Sequence, residues 1–137
     1  RKLYGTVSIS KLYSPLSVLA IQKTIVRPSK NVQAKMPFEM PENKAVEPFW
    51  AKHKNEKQVL SAVVKGIEPD GKDLPILLKQ YEKMAARFYC IGLDKNFNNT
   101  PGMLLCVDMP ASPTKMLRQY LCNELEEYLQ YGCTSIE

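Results

Sequence analysis

The most unusual stretch of this sequence runs Gly66-Ile67-Glu68-Pro69-Asp70-Gly71-Lys72-Asp73-Leu74-Pro75. It sets two carboxylates, Glu68 and Asp70, close to the ammonium of Lys72. A desolvated carboxylate accepts protons near neutral pH, so Glu68 and Asp70 are candidates for a general base or for orienting an amine nucleophile. The same residues also suit a bland role. Pro69-Asp70-Gly71 has the chemistry of a turn, since proline presets φ, Asp bonds nearby backbone and glycine accepts a positive φ. Acids beside such a turn commonly cap the neighbouring helix.

Outside that stretch the familiar reactive pairings are missing. There is no Gly-x-Ser-x-Gly, no glycine-rich phosphate loop and no His-Glu-x-x-His. His53 is the one histidine and sits in Lys52-His53-Lys54, which reads as a solvated run. A Ser–His or Cys–His nucleophile would have to use it, so nucleophilic catalysis is disfavoured. The cysteines, Cys90, Cys106, Cys122 and Cys133, form no Cys-x-x-Cys pair. That spacing fits neither a zinc module nor a small disulfide scaffold, and the expectation is reduced, structural thiols with no metal site.

Lys and Arg exceed Asp and Glu by 19 − 14 = 5. This mild excess permits an anionic partner without requiring one. No aromatic-plus-basic stripe marks a nucleic-acid binder. No stretch of about 18 apolar residues reads as a membrane span and no signal peptide is visible, so the expected location is the cytoplasm.

The elements that must position these residues follow from periodicity. Leu3 to Ile9 reads as a strand, and Ser14-Pro15 as the start of a helix running to Ile25, stopped by Pro28. Residues 27–54 read as one long basic loop, closed by Phe49 and Trp50. A second helix follows Asn55, with Val59, Leu60, Val63, Val64 and Ile67 on its apolar face. A third begins near Asp73-Leu74-Pro75 and carries the stripe Leu74, Leu77, Leu78, Tyr81, Met84 and Ala85. Arg87–Leu93 and Met103–Val107 read as an antiparallel hairpin across the polar turn Asp94 to Gly102. Ser112-Pro113 opens a last helix with Leu117, Tyr120, Leu121, Leu125 and Tyr128 buried and Gly132 past its end. The fold class is α/β or α+β: a small sheet with a β-hairpin and about four helices. One lone strand and one hairpin make a poor sheet, which suggests a single partial domain over 1–137, the C-terminal portion of a larger protein.

Several of these segments resemble a known pattern. Tyr4-Gly5-Thr6-Val7-Ser8-Ile9-Ser10 and Tyr13-Ser14-Pro15 are followed in order by Glu68-Pro69-Asp70-Gly71-Lys72, Leu74-Pro75, Leu77-Leu78 and Gln80-Tyr81. Asp94, Phe97-Asn98 and Gly102 to Asp108 complete the series. Together they resemble the C-terminal half of a bacterial family labelled hemolysin. That family is similar to the N-acyltransferases that make ornithine and glycine lipids, with a fold of the GNAT type. The likeness leaves out the loop around Met36 to Asn55 and the tail. The family usually has proline where Thr6 stands and glycines where Ala85 and Ala86 stand. An alanine after a helix end is expected to need a negative φ.

The resemblance implies acyl transfer from an acyl carrier protein thioester, the donor substrate, to the amine of an amino acid, with no resident cofactor. It implies an acceptor cleft beside the first strand, bound by Ser8, Ser10, Tyr13 and Lys72, with Glu68 and Asp70 facing the acceptor. The helix-start motif that holds the donor's pyrophosphate in such folds does not occur in these residues, so the chain alone is expected to be inactive and its parent active. A second reading is a non-catalytic module that docks an acidic protein or the anionic inner-membrane surface through Lys23, Arg27, Lys30, Lys35, Lys44, Lys52, Lys54 and Lys57. In the parent the strand Leu3–Ile9 is expected to pair with an upstream strand, and in the isolated chain with a second copy as a homodimer.

Overall fold

The computed structural model describes residues 2–40, 48, 52, 57–124 and 126–127. Strand β1 (Lys2–Ser8), strand β2 (Arg87–Asp94) and strand β3 (Thr100–Asp108) form one antiparallel sheet in the order β1-β3-β2. Helices α1 (Pro15–Ile25), α2 (Lys57–Ile67), α3 (Ile76–Lys83) and α4 (Thr114–Leu121) pack with it, and short 3₁₀ turns lie at Lys95–Phe97, Met109–Ala111 and Cys122–Glu124. The result is a small α+β unit with the expected hairpin and four helices.

The sheet corrects one expectation. β1 is not alone: it pairs along its whole length with β3, from Lys2 opposite Asp108 to Ser8 opposite Gly102. The hairpin therefore offers its long strand to both neighbours. Register brings Val7, Met103 and Ile91 into one row across the three strands, and Gly5, Leu105 and Phe88 into the next. Apart from the glycine these are apolar and buried, so they supply the sheet's side of the core. The other side is Val18, Ala20, Ile21 and Ile25 of α1, with Leu60, Val64 and Leu78 from α2 and α3. Apolar faces of three helices meet one pleated face, which is how a half-apolar helix and a half-apolar sheet bury each other.

The outer edge of β2 is covered by the chain itself. Phe38 N–H donates to the Ile91 carbonyl at 2.9 Å, and Leu93 N–H donates to the Met36 carbonyl at 2.8 Å. A Cβ on Gly92 would lie 3.1 Å from that of Ala34, so this close approach calls for glycine. Residues 27–40 thus dock on the sheet as irregular backbone. Pro48 and Lys52, expected in the loop, are helical instead. Phe49, Trp50, His53, Lys54 and Asn55 lie outside the described residues.

Other boundaries shift by local chemistry. β3 starts at Thr100, so the hairpin turn shortens to Lys95–Asn99, with Asn98 at φ 54° and Asn99 at φ 58°. Asparagine tolerates that left-handed conformation better than most residues. Ile76 and Leu77 are exposed, so Leu77 leaves the expected α3 stripe while Leu74 and Leu78 stay buried. Ser112 does not cap α4, because the Pro113 carbonyl accepts the first helical bonds from Met116 and Leu117. The Ser112 hydroxyl instead sits 3.1 Å from the Met84 carbonyl and 3.2 Å from that of Asp108. α4 ends at Leu121 and passes into a 3₁₀ turn, Cys122–Glu124; Leu125, Tyr128, Gly132 and Cys133 are not among the described residues. Cys90 and Cys106 are free thiols, half-buried and buried.

Ala85 overturns the expectation of a negative φ. It has φ 56° just past α3, where Ala86 N–H reaches back to the Tyr81 carbonyl at 3.0 Å. This is a left-handed helix ending, the position where glycine is preferred. An L side chain there costs about 1–2 kcal/mol, and glycine's extra chain entropy offsets part of that. Ala85→Gly is therefore expected to raise stability by roughly 0.5–1 kcal/mol, read as a higher denaturation midpoint at unchanged slope.

Candidate functional site

Glu68 ends up at the junction of two helices. It continues the last turn of α2, its N–H donating to the Val64 carbonyl at 2.9 Å. Its side chain is 1% exposed. Oε1 accepts the Ser14 N–H at 2.8 Å and the Ser17 hydroxyl at 2.5 Å, and Oε2 lies 3.5 Å from the Lys72 ammonium. Ser14 caps α1, its hydroxyl accepting from the Leu16 N–H at 3.2 Å. The carboxylate thus closes off the α1 N-terminus, where backbone N–H groups and the helix dipole favour negative charge. The Ser17 hydroxyl, then the Ser14 amide and the Lys72 charge, outweigh burial and hold the Glu68 carboxyl below its usual range.

Lys72 bridges this junction to the surface. Its ammonium donates to the Leu12 carbonyl at 2.9 Å, lies 3.6 Å from Asp70 and sits 4.8 Å from the centre of the Tyr13 ring. The Tyr13 hydroxyl donates to the Asp73 carbonyl at 2.5 Å. Burial, followed by the carboxylates of Glu68, Asp73 and Asp70, pushes the Tyr13 phenol up, so it stays neutral at pH 7. Asp73 accepts from Ser61 at 2.6 Å, from the Leu74 N–H at 2.7 Å and from Lys79, with Lys65 at 3.5 Å. Burial opposes ionisation there, but the bonds from Lys79, Ser61 and Leu74 win and hold Asp73 far below the carboxylate range.

These groups border an open cleft of about 510 Å³. Ser8, Ser10, Tyr13 and Lys72 line it together with Asp73 and Lys79, and Leu74, Ile76 and Leu77 supply apolar wall. Four side chains from β1, the following turn and the 70–73 turn therefore meet at one place. Glu68 and Asp70 do not line it. Glu68 lies behind the cleft with its donors in place, and exposed Asp70 accepts the Lys72 N–H at 3.2 Å in a local turn. Their structural role is the capping and turn-forming one.

Asp73, Lys79, Ser61 and Ser17 escape a reading by motif. Ser17 alone leaves a trace, a hydroxyl placed next to Val18 and near Ala20 and Ile21 on the buried face of α1. The basic residues do not gather at this cleft. Lys23 borders a larger hollow of about 690 Å³ between α1, residues 28–40 and β2, lined by Val26, Val32, Phe38 and Met40. Arg27, Lys30, Lys35 and Lys52 are exposed, and Lys44 and Lys54 fall outside the described residues. The smaller cleft is the better candidate because it joins a few fixed polar groups to apolar wall.

Among the described residues no helix is long and apolar enough to cross a membrane. Comparison of the chain with protein-family models, curated proteins and solved structures finds no match.

A depressed folded-state pKa stabilises only where the group is ionised. The contribution of Glu68 is full above the unfolded value of about 4.3 and fades as pH falls through the lower folded value. Glu68→Gln is expected to cost about 1–3 kcal/mol at pH 7, since Ser17 and Ser14 lose a charged acceptor. The penalty should shrink below about pH 4, as the wild type itself loses the ionised form. Asp73 titrates in the same sense and remains in both proteins. Urea unfolding of both proteins between pH 2.5 and 7 measures the difference.

Proposed function

We propose that this chain is the acceptor-side part of a lipid N-acyltransferase, with the Ser8–Lys72 cleft holding an amino-acid acceptor. The donor in this reading is an acyl carrier protein thioester. One observation carries the proposal: Ser8, Ser10, Tyr13 and Lys72, which belong to three separate segments resembling that family, converge on a single cleft. The order of the remaining segments along the chain supports it.

The division of labour follows from the groups present. Lys72 is held by the Leu12 carbonyl and the Tyr13 ring, so its ammonium is placed before a ligand arrives. It suits a substrate carboxylate. The hydroxyls of Ser8 and Ser10 can accept from a substrate amine, and Leu74 and Leu77 can flank its carbon chain. Proton removal from the amine is a different matter. Glu68 is saturated with donors, Asp73 likewise, and Tyr13 is neutral. These residues therefore bind and orient, and the base and the thioester cradle belong to other parts of the enzyme. Orientation alone supplies up to roughly 7–11 kcal/mol of barrier reduction. The work would take place in the cytoplasm at the inner-membrane surface, where such products are used. Exposed Arg27, Lys30 and Lys35 on the strip beside β2 favour the second reading, a module docking an acidic protein or anionic surface.

The test incubates the full-length protein with acyl carrier protein thioesters and amino acids and detects N-acyl products by mass spectrometry. Product is expected from the full-length protein and none from the 137-residue chain alone. Lys72→Met should raise the acceptor KM by about tenfold, the worth of one charge-assisted hydrogen bond, with a smaller change in kcat. A full-length protein that forms no product yet binds anionic vesicles in a salt-dependent way would replace this reading with the docking module.

A further inference from the structure

The sheet protects its two edges unequally. β2 is covered by residues 36–38, through backbone bonds to Ile91 and Leu93. β1 has no partner on its outer side among the described residues. The usual guards against pairing are sparse: Lys2 is the one charge on the strand, residues 3–8 contain no proline, and the β1–β3 register runs without a bulge. Leu3 and Tyr4 on this strand are 58% and 64% exposed.

We infer that the free edge of β1 pairs antiparallel with β1 of a second copy, across a two-fold axis at Gly5, joining two sheets into one of six strands. The inference concerns the 137-residue chain and does not rest on the acyltransferase reading. The register follows from which backbone groups are free. Ile9 N–H donates inward to the Pro101 carbonyl at 2.8 Å. Inward and outward bonding alternate along a strand, so Val7, Gly5 and Leu3 also bond β3 and the even residues point their N–H and C=O outward. An antiparallel partner must therefore match even residues with even residues. Centring on Gly5, the midpoint of Lys2–Ser8, uses all of β1. It sets Tyr4 opposite Thr6 twice, an aromatic with a β-branched residue, which is a favourable cross-strand pair. Lys2 falls opposite Ser8, so no like charges meet, and exposed Leu3 falls opposite Val7. Centring on Thr6 would leave Lys2 and Leu3 facing residues beyond the strand.

The same pairing bears on the cleft. Ser8 lines it, so Lys2 of the second copy comes to its rim.

A Cβ at Gly5 meets nothing within 4 Å, so a cysteine fits there. Directly opposed residues that do not share ladder bonds lie about 4.5 Å apart at Cα, within disulfide range. Under mild oxidation Gly5→Cys in the 137-residue chain should give a covalent dimer. Leu3→Cys should not, because its copies sit four residues out of step, about 13 Å apart. The wild type, with the same native cysteines, sets the background. Thr6→Pro removes an outward N–H and should lower the dimer fraction seen by light scattering. Should that variant not fold, the position-5 crosslink still decides. No crosslink at position 5 above background, or an equal crosslink at position 3, overturns the inference.

Discussion

The buried carboxylate of Glu68 is the constraint on which the rest of this structure turns. An ionised group taken out of water must be repaid by donors at good geometry. Here the donors come from another helix: the Ser14 amide and Ser17 hydroxyl of the α1 start, more than 50 residues away in sequence. The interaction therefore does more than cap a helix. It fixes where α1 begins relative to where α2 ends, and the same turn of chain carries Lys72 and Asp73. A helix pair held only by Ile21, Leu60 and Val64 could slide, since apolar contact has no direction. A carboxylate matched to two donors cannot.

The cleft inherits its shape from that lock. Tyr13 stands one residue before Ser14, and Lys72 lies four after Glu68. With Ser14 and Glu68 bonded, Tyr13 and Lys72 are brought together, and the ring and ammonium settle 4.8 Å apart. The electrostatics follow too. Three acids, Glu68, Asp70 and Asp73, sit among Lys65, Lys72 and Lys79, so the charges nearly balance. The acids are committed to intramolecular donors.

Much of this was legible in the sequence, and the failures have physical causes. α1 could be read from Pro15 to Ile25 because both ends carry local chemistry, a serine cap with proline and then Pro28. The hairpin was legible because two β-favouring runs flank a polar turn. The pairing of β1 with β3 was not, because nothing local tells a strand which distant edge it will join. The site divides the same way. Ser8, Ser10, Tyr13 and Lys72 were found by their likeness to a pattern, and they do converge. Glu68 and Asp70 fit both chemistry and capping in the sequence, and only the folded chain brings Glu68 to Ser14 and Ser17. Asp73 and Lys79 look like ordinary residues at a helix start. Asp73 also accepts from Ser61 of another helix, which no spacing rule reaches.

A site held by contacts this far apart in sequence exists only in the folded whole. Tyr13 reaches Asp73 and Lys72 reaches Leu12 across 60 residues, and Glu68 reaches Ser17 across 51. None of these bonds forms inside an isolated helix or turn. The turn at Asp70–Lys72 can close locally, but it cannot aim Lys72 without the Leu12 carbonyl. Local opening of the α1 start would therefore dismantle the cleft while leaving the hairpin and its core rows intact. Ser17 never touches the cleft, yet its hydroxyl governs the cleft's geometry through Glu68. Stability and site geometry are here set by the same few polar bonds.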